Sequence, residues 1–174
     1  MRKYVKKIGI GIVVCCLFFN TVTYSAYMKN GFHLSNPGNI VYMISNTIAQ
    51  YTTMLREYTE VWEGEYGEAE LVFNQGVYDN IYLYGDLTIE TGKYAVTYCT
   101  VNDRNTITFY KMFNNASNSI KYEVITHEVG HALGLAHCQD NRVNYSVMRA
   151  TGFNGKPWPL EDDIDGIIDI YGGE

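Results

Sequence analysis

The chain has 174 residues, 47% of them hydrophobic and 18% charged, which suits one packed domain. Its 19 acidic residues outnumber 13 basic ones for a net charge of −6, and Arg2, Lys3, Lys6 and Lys7 crowd the extreme start. Beyond that start the chain is strongly acidic and has no basic cluster, which excludes nucleic acid and anionic membrane surfaces as partners.

The basic start runs into an apolar stretch over 8–19 and then "NTVTYSA". A charged head, an apolar centre and a small-residue exit predict a signal peptide over 1–26. The apolar stretch is shorter than the roughly 20 residues that a spanning helix needs. The expectation is a secreted, extracellular protein of one domain, 27–174, a monomer with no stable membrane association after cleavage. Cys15 and Cys16 leave with the signal, so Cys99 and Cys138 remain.

"NIVYMI" at 39–44, after the turn signal "NPGN", predicts a first strand. Residues 46–62 predict a helix, since Ile48, Tyr51, Thr52, Leu55, Tyr58 and Trp62 recur at three and four residues. "GEYGE" breaks it. Short β-patterned runs follow at 69–73, 80–84, 93–101 and 106–110, with "NDRN" at 102–105 as a hairpin turn. Most of the 16 tyrosines fall in β-patterned stretches, where they suit half-buried sheet faces. Exposed ones would suit a peptide-binding cleft. After the polar "NNASNS", Ser119 is the expected cap of a helix over 120–134. The order of elements is α+β.

Within that helix, Ile125, Val129 and Leu133 form a buried stripe with Ala132. His127 and His131, four apart, project from one face. Glu128 is turned about 100° away, free to touch a metal-bound water without ligating the metal. Gly134 can take a positive φ and turn the chain, bringing His137 back as a third ligand. Three of the chain's four histidines fall within this stretch. Three histidines leave one tetrahedral position open, the pattern of catalytic zinc.

"HEVGHALGLAH" resembles the metzincin signature HExxHxxGxxH, which is followed by a methionine turn. Here Met148, in "YSVMRA", is the candidate. "LEDDIDGIIDIYG" at 160–172 resembles the closing helix of matrixins, with Leu160, Ile164, Ile167, Ile168 and Tyr171 on one face. Glu161, Asp162 and Asp163 in its first turn favour the helix dipole.

The resemblance implies a metzincin-type catalytic domain: a mixed twisted sheet with a long N-terminal helix, an active-site helix and a C-terminal helix. It implies one catalytic Zn2+ on His127, His131 and His137. Glu128 would be general base and proton shuttle, Met148 a hydrophobic floor, and Asp162 and Asp163 acids bracing the methionine turn. The implied reaction is peptide-bond hydrolysis by Glu-assisted attack of zinc-bound water. A protein or peptide substrate would lie extended along an edge strand within 93–101.

Some features depart from the family. Residues 27–39 are too few for a matrixin prodomain, and no cysteine-switch motif is present. Only His33 is available upstream for a second, structural zinc, so that site is expected to be absent. Ca2+ remains compatible, since its oxygen ligands need no fixed motif. Arg149 and Ala150 replace the usual Tyr and Pro after the methionine, which alters the specificity wall. Two other readings stay open. Glu161 and Asp165 form an ExxxD pair, as in thermolysin-like enzymes with a glutamate third ligand. A secreted zinc-containing binding module without turnover is the other. For Cys99 and Cys138 a disulfide is the favoured expectation outside the cell.

Overall fold

A computed structural model describes residues 27–100 and 104–172. The signal assigned to 1–26, the last residue of the run at 93–101, and residues 102 and 103 of the expected hairpin turn lie outside the described residues. Among the described residues, no helix is long and apolar enough to cross a membrane.

In chain order the strands are β1 (Ile40–Ile44), β2 (Gly64–Tyr66), β3 (Ala69–Leu71), β4 (Phe73–Gln75), β5 (Ile81–Asp86), β6 (Ala95–Tyr98) and β7 (Asn105–Tyr110). The helices are α1 (Thr52–Glu60), α2 (Lys111–Asn115), α3 (Asn118–Ala132) and α4 (Glu161–Tyr171). Five strands form one mixed sheet in the order β4-β1-β5-β7-β6. The α+β class read from the sequence therefore stands.

β1 lies parallel to β4 and β5, and β5 parallel to β7, with Tyr42 opposite Ile81 and Leu83 opposite Ile107. β6 alone is antiparallel, pairing Ala95 with Phe109 and Tyr98 with Thr106 at the sheet edge. The pleat sends alternate residues to one face. Ile40, Tyr42, Ile81, Leu83, Ile107 and Phe109 are accordingly buried together. α3 packs across β6 and β7, and α1 packs against α3. Tyr58 stacks on Tyr122 at 4.2 Å between centroids, and the fully buried Trp62 donates from Nε1 to Thr126 O at 3.1 Å.

The long N-terminal helix is broken. Asn46–Tyr51 winds as a tighter 3-10 segment before α1 begins. Ile48 leaves helical geometry at φ −129°, ψ 17°. Thr47 donates from its backbone N to Ser45 Oγ at 3.3 Å, and its hydroxyl accepts from Gly85 N at 3.0 Å. The first turn is thus fastened to β5 rather than free to run straight into α1.

Other boundaries moved for local reasons. "GEYGE" belongs to a hairpin, β2 against β3, which turns at Gly67 with φ +64°. The run at 69–73 splits, β3 pairing with β2 and β4 with β1. The run at 93–101 contracts to β6. α2 follows β7 directly where only a polar break was expected. α3 starts two residues early: Ser117, not Ser119, is the extended cap residue, and Lys121 N already donates to Ser117 O at 3.0 Å.

Candidate metal centre

α3 presents His127 and His131 on neighbouring turns, ring centroids 4.7 Å apart, with the His137 ring 5.3 and 4.9 Å from them. One ring nitrogen of each lies within 4.8 Å of the others, the one such group of three potential ligands among the described residues. The second nitrogens explain the convergence. His127 Nδ1 is 2.9 Å from Val147 O, and His131 Nδ1 is 2.8 Å from Leu135 O. A carbonyl only accepts, so each Nδ1 holds the proton and each Nε2 lone pair is left for a metal. His131 Nε2 and His137 Nε2 stand 3.3 Å apart. Burial, above all, pushes the pKa of His127 and His131 down to about 4, which keeps both neutral near pH 7. Three imidazoles at this spacing fit Zn2+ with one position to spare.

The end of α3 brings His137 into place. Gly134 takes φ +107°, its N donates to His131 O at 3.1 Å, and Leu135 N donates to Gly130 O at 3.0 Å. These two bonds are the Schellman pattern, which satisfies carbonyls left over at a helix end. Carbonyls of this last turn also take bonds from distant partners, His131 O as a second one. Ala132 O accepts from Asn105 Nδ2 at 2.8 Å, His131 O from Asn30 Nδ2 at 2.8 Å, and Leu133 O from Tyr171 Oη at 2.8 Å. Residues 28–30 run alongside, Ala136 N donating to Met28 O and Asn30 N to Gly134 O.

The methionine turn sits beneath. Met148 is buried, and Cys138 N donates to Met148 O at 2.7 Å, which joins the turn to the loop carrying His137. Asp163 braces it. One carboxylate oxygen accepts from Ser146 Oγ at 2.5 Å, and the other from Val147 N at 2.7 Å and Leu160 N at 2.9 Å. Asp162 takes a neighbouring part: its N donates to Tyr145 O, and its carboxylate accepts from Arg142 Nε at 3.2 Å. Burial raises the pKa of both acids, opposed by these donors.

Glu128 is 8% exposed and borders a cleft of about 550 Å³ together with His127, His131 and His137. β6 forms the opposite wall, and from it Thr97 Oγ1 donates to Glu128 Oε2 at 2.6 Å. Burial raises the Glu128 pKa, while the Thr97 bond and the nearby histidines pull it back. A carboxyl beside the converged nitrogens, its pKa raised by burial, can accept and return a proton.

Sequence reasoning missed Thr97, which reaches Glu128 only through β6. It also missed Asn105, assigned to a turn but buried at the start of β7 beneath α3. It noted Arg149 as an altered wall residue without its partner, Glu123, whose carboxylate lies 2.7 Å away. Glu161 is exposed and lies outside the histidine group, so the ExxxD reading has no geometry behind it.

The expected disulfide is not formed; both thiols are free. Cys99 Sγ is engaged at the end of α3, 3.4 Å from His131 O and 3.8 Å from Asn30 Nδ2. Cys138 is instead held towards Ser146 and the α4 acids. Burial raises both thiol pKa values.

Comparison with known proteins agrees with this geometry. Residues 101–172 match the family model for matrixin. Over 51 residues the chain is 45% identical to interstitial collagenase of Bos taurus, a match covering 29% of this chain and 10% of the relative. The chain therefore spans a small part of that relative's length. The family match includes α3, the methionine turn and α4.

Proposed function

We propose that this chain, which carries a matrixin-like domain, is a secreted zinc-dependent endopeptidase. The observation that carries the reading is the convergence of three imidazoles beside a buried carboxyl, in a cleft walled by an edge strand. His127, His131 and His137 would hold the zinc. When bound, zinc supplies Lewis acidity, making a water acidic enough to attack near neutral pH and polarising the scissile carbonyl.

The protein's own groups do the rest. Glu128 takes the proton of the attacking water and returns it to the leaving amine, and its burial favours holding that proton in between. Thr97 fixes the carboxyl's orientation. β6 lies at the sheet edge beside the histidines, and a free edge can pair with an extended substrate backbone. Export rests on the residue pattern of 1–26.

The test is hydrolysis of casein, gelatin and a mixed peptide library by the zinc-loaded protein, with and without chelator. Glu128→Ala is expected to keep zinc and lose ~10²–10⁴ in rate, the usual worth of a positioned acid–base group. A zinc-loaded wild type that cleaves none of these is a binding module instead. His137→Ala should lose zinc, whereas Glu161→Ala should not. The exported form should begin near residue 27 by intact mass.

A further inference from the structure

The cleft beside Glu128 has an unexpected floor. Arg149, directly after Met148, forms an ion pair with Glu123 of α3, and the two side chains are only 9% and 3% exposed. Both line the cleft, whose other walls include Val124, Val147, Tyr94 and Phe153. Tyr94 of the β6 side meets Phe153 edge-on at 5.3 Å, roofing this end.

Burying such a pair costs free energy unless its donors and acceptors are all met. Here they are met unequally. The Glu123 carboxylate accepts from Arg149 Nη2 at 2.7 Å, Asn154 N at 2.8 Å and Gly155 N at 2.9 Å. Its acceptor capacity is well used. The guanidinium carries five N–H donors, yet Arg149 Nε is buried without any partner. The guanidinium lining the cleft therefore has N–H groups beyond the one spent on Glu123, and Glu123 has little acceptor capacity left to match them.

We propose that Arg149 makes this cleft select a substrate side chain bearing a hydrogen-bond acceptor, a carboxamide or carboxylate, next to the scissile bond. The proposal rests on the peptidase reading above. An apolar side chain of the same length covers the guanidinium and leaves its spare N–H groups unmet. A lysine or arginine side chain brings more donors to a site already rich in them. A site built to hydrogen-bond a substrate rejects analogues that lack the matching atom far more strongly than a hydrophobic pocket discriminates by size.

The test uses one peptide scaffold with Gln, Glu, Met, Leu or Lys on either side of the cut bond. Cleavage is measured with wild type, and binding of the same peptides with zinc-loaded Glu128→Ala. Gln and Met are close in shape, so their ratio isolates the polar atom. Wild type should favour Gln and Glu over Met by roughly tenfold or more, with Lys last. In Arg149→Met/Glu123→Gln the ratio should fall to near one or invert. Arg149→Lys, which keeps the charge opposite Glu123 but lacks the planar donor fork, should also lower it. A wild type that favours Met or Leu overturns the proposal, as does an unchanged ratio in either folded variant. If wild type cleaves nothing but Glu128→Ala binds with the stated preference, the selectivity stands and the peptidase reading falls. If neither cleavage nor selective binding is seen, both fall.

Discussion

Gly130 and Met148 meet with nothing between them: a Cβ built on Gly130 would stand 2.4 Å from the Met148 sulfur and 2.9 Å from Trp62 Cζ2. The glycine inside the signature is thus the seat of the methionine turn. Alanine is the better helix former by about 1 kcal/mol, but overpacking a filled core costs typically ~1–3 kcal/mol. Gly130→Ala should therefore lower the melting temperature and weaken zinc, measured by competition with a chromophoric chelator. A variant that is more stable with unchanged affinity would show that the contact yields freely.

Asp163→Ala should be among the most damaging changes outside the histidines. It strands the Ser146 hydroxyl, Val147 N and Leu160 N, three donors in a buried setting. Each unmet buried group costs about 1–3 kcal/mol, so a loss of roughly 3–5 kcal/mol is expected in urea unfolding. Asp163→Asn keeps one acceptor and should lose less. Equal losses would argue against the bonding account.

Gly134→Ala and Gly152→Ala separate conformational strain from steric overlap. Both glycines have positive φ, +107° and +74°. Only Gly134 is crowded, its Cβ position lying 2.2 Å from Phe32 O, whereas nothing lies within 4 Å at Gly152. Gly152→Ala should cost about 1 kcal/mol. Gly134→Ala should cost clearly more and displace His137, read as weaker zinc binding.

Thr97→Val preserves shape and removes the donor to Glu128. That bond lowers the Glu128 pKa, so its loss raises it further. Glu128 acts as a base only when ionised. The acidic limb of the rate profile should shift to higher pH, with little change on the alkaline side. An unmoved acidic limb would remove Thr97 from the mechanism.

The metal-free protein should lose stability in acid over a defined window. His127 and His131 have folded pKa values of about 4, below the ordinary 6.5. A depressed value means that the unfolded chain binds protons first. The stability these groups contribute is full above pH 6.5 and is lost as pH falls through about 4. The slope approaches ~1.4 kcal/mol per pH unit for each histidine. Glu128, raised instead, works against this trend, so the scan is best done on chelated Glu128→Gln protein. A His127→Ala derivative should show a shallower fall.

What the sequence disclosed was what lay close together along it. His127, His131, Gly134 and His137 are read from helical period and one turn, and Asp163 from a familiar string. Thr97, Asn105 and the Glu123–Arg149 pair were hidden because their partners are 26 to 31 residues away and meet only through sheet register or loop return. Ser117 lost to Ser119 because two serines offer the same capping chemistry and packing decides between them. The break at Ile48 was illegible for a like reason: the apolar period continues through it, while Gly85 on another strand holds the turn.

The Asn30 bridge to His131 O and Leu135 O spans 105 residues to its farther partner. Asp163 braces the methionine turn from beyond the last histidine. The centre therefore draws on residues from Asn30 through Asp163. A chain cut short just after His137 has the histidines without Met148 or Asp163 beneath them. The histidine string is thus the part of the centre written in one place, and everything that holds it in shape is borrowed from elsewhere in the fold.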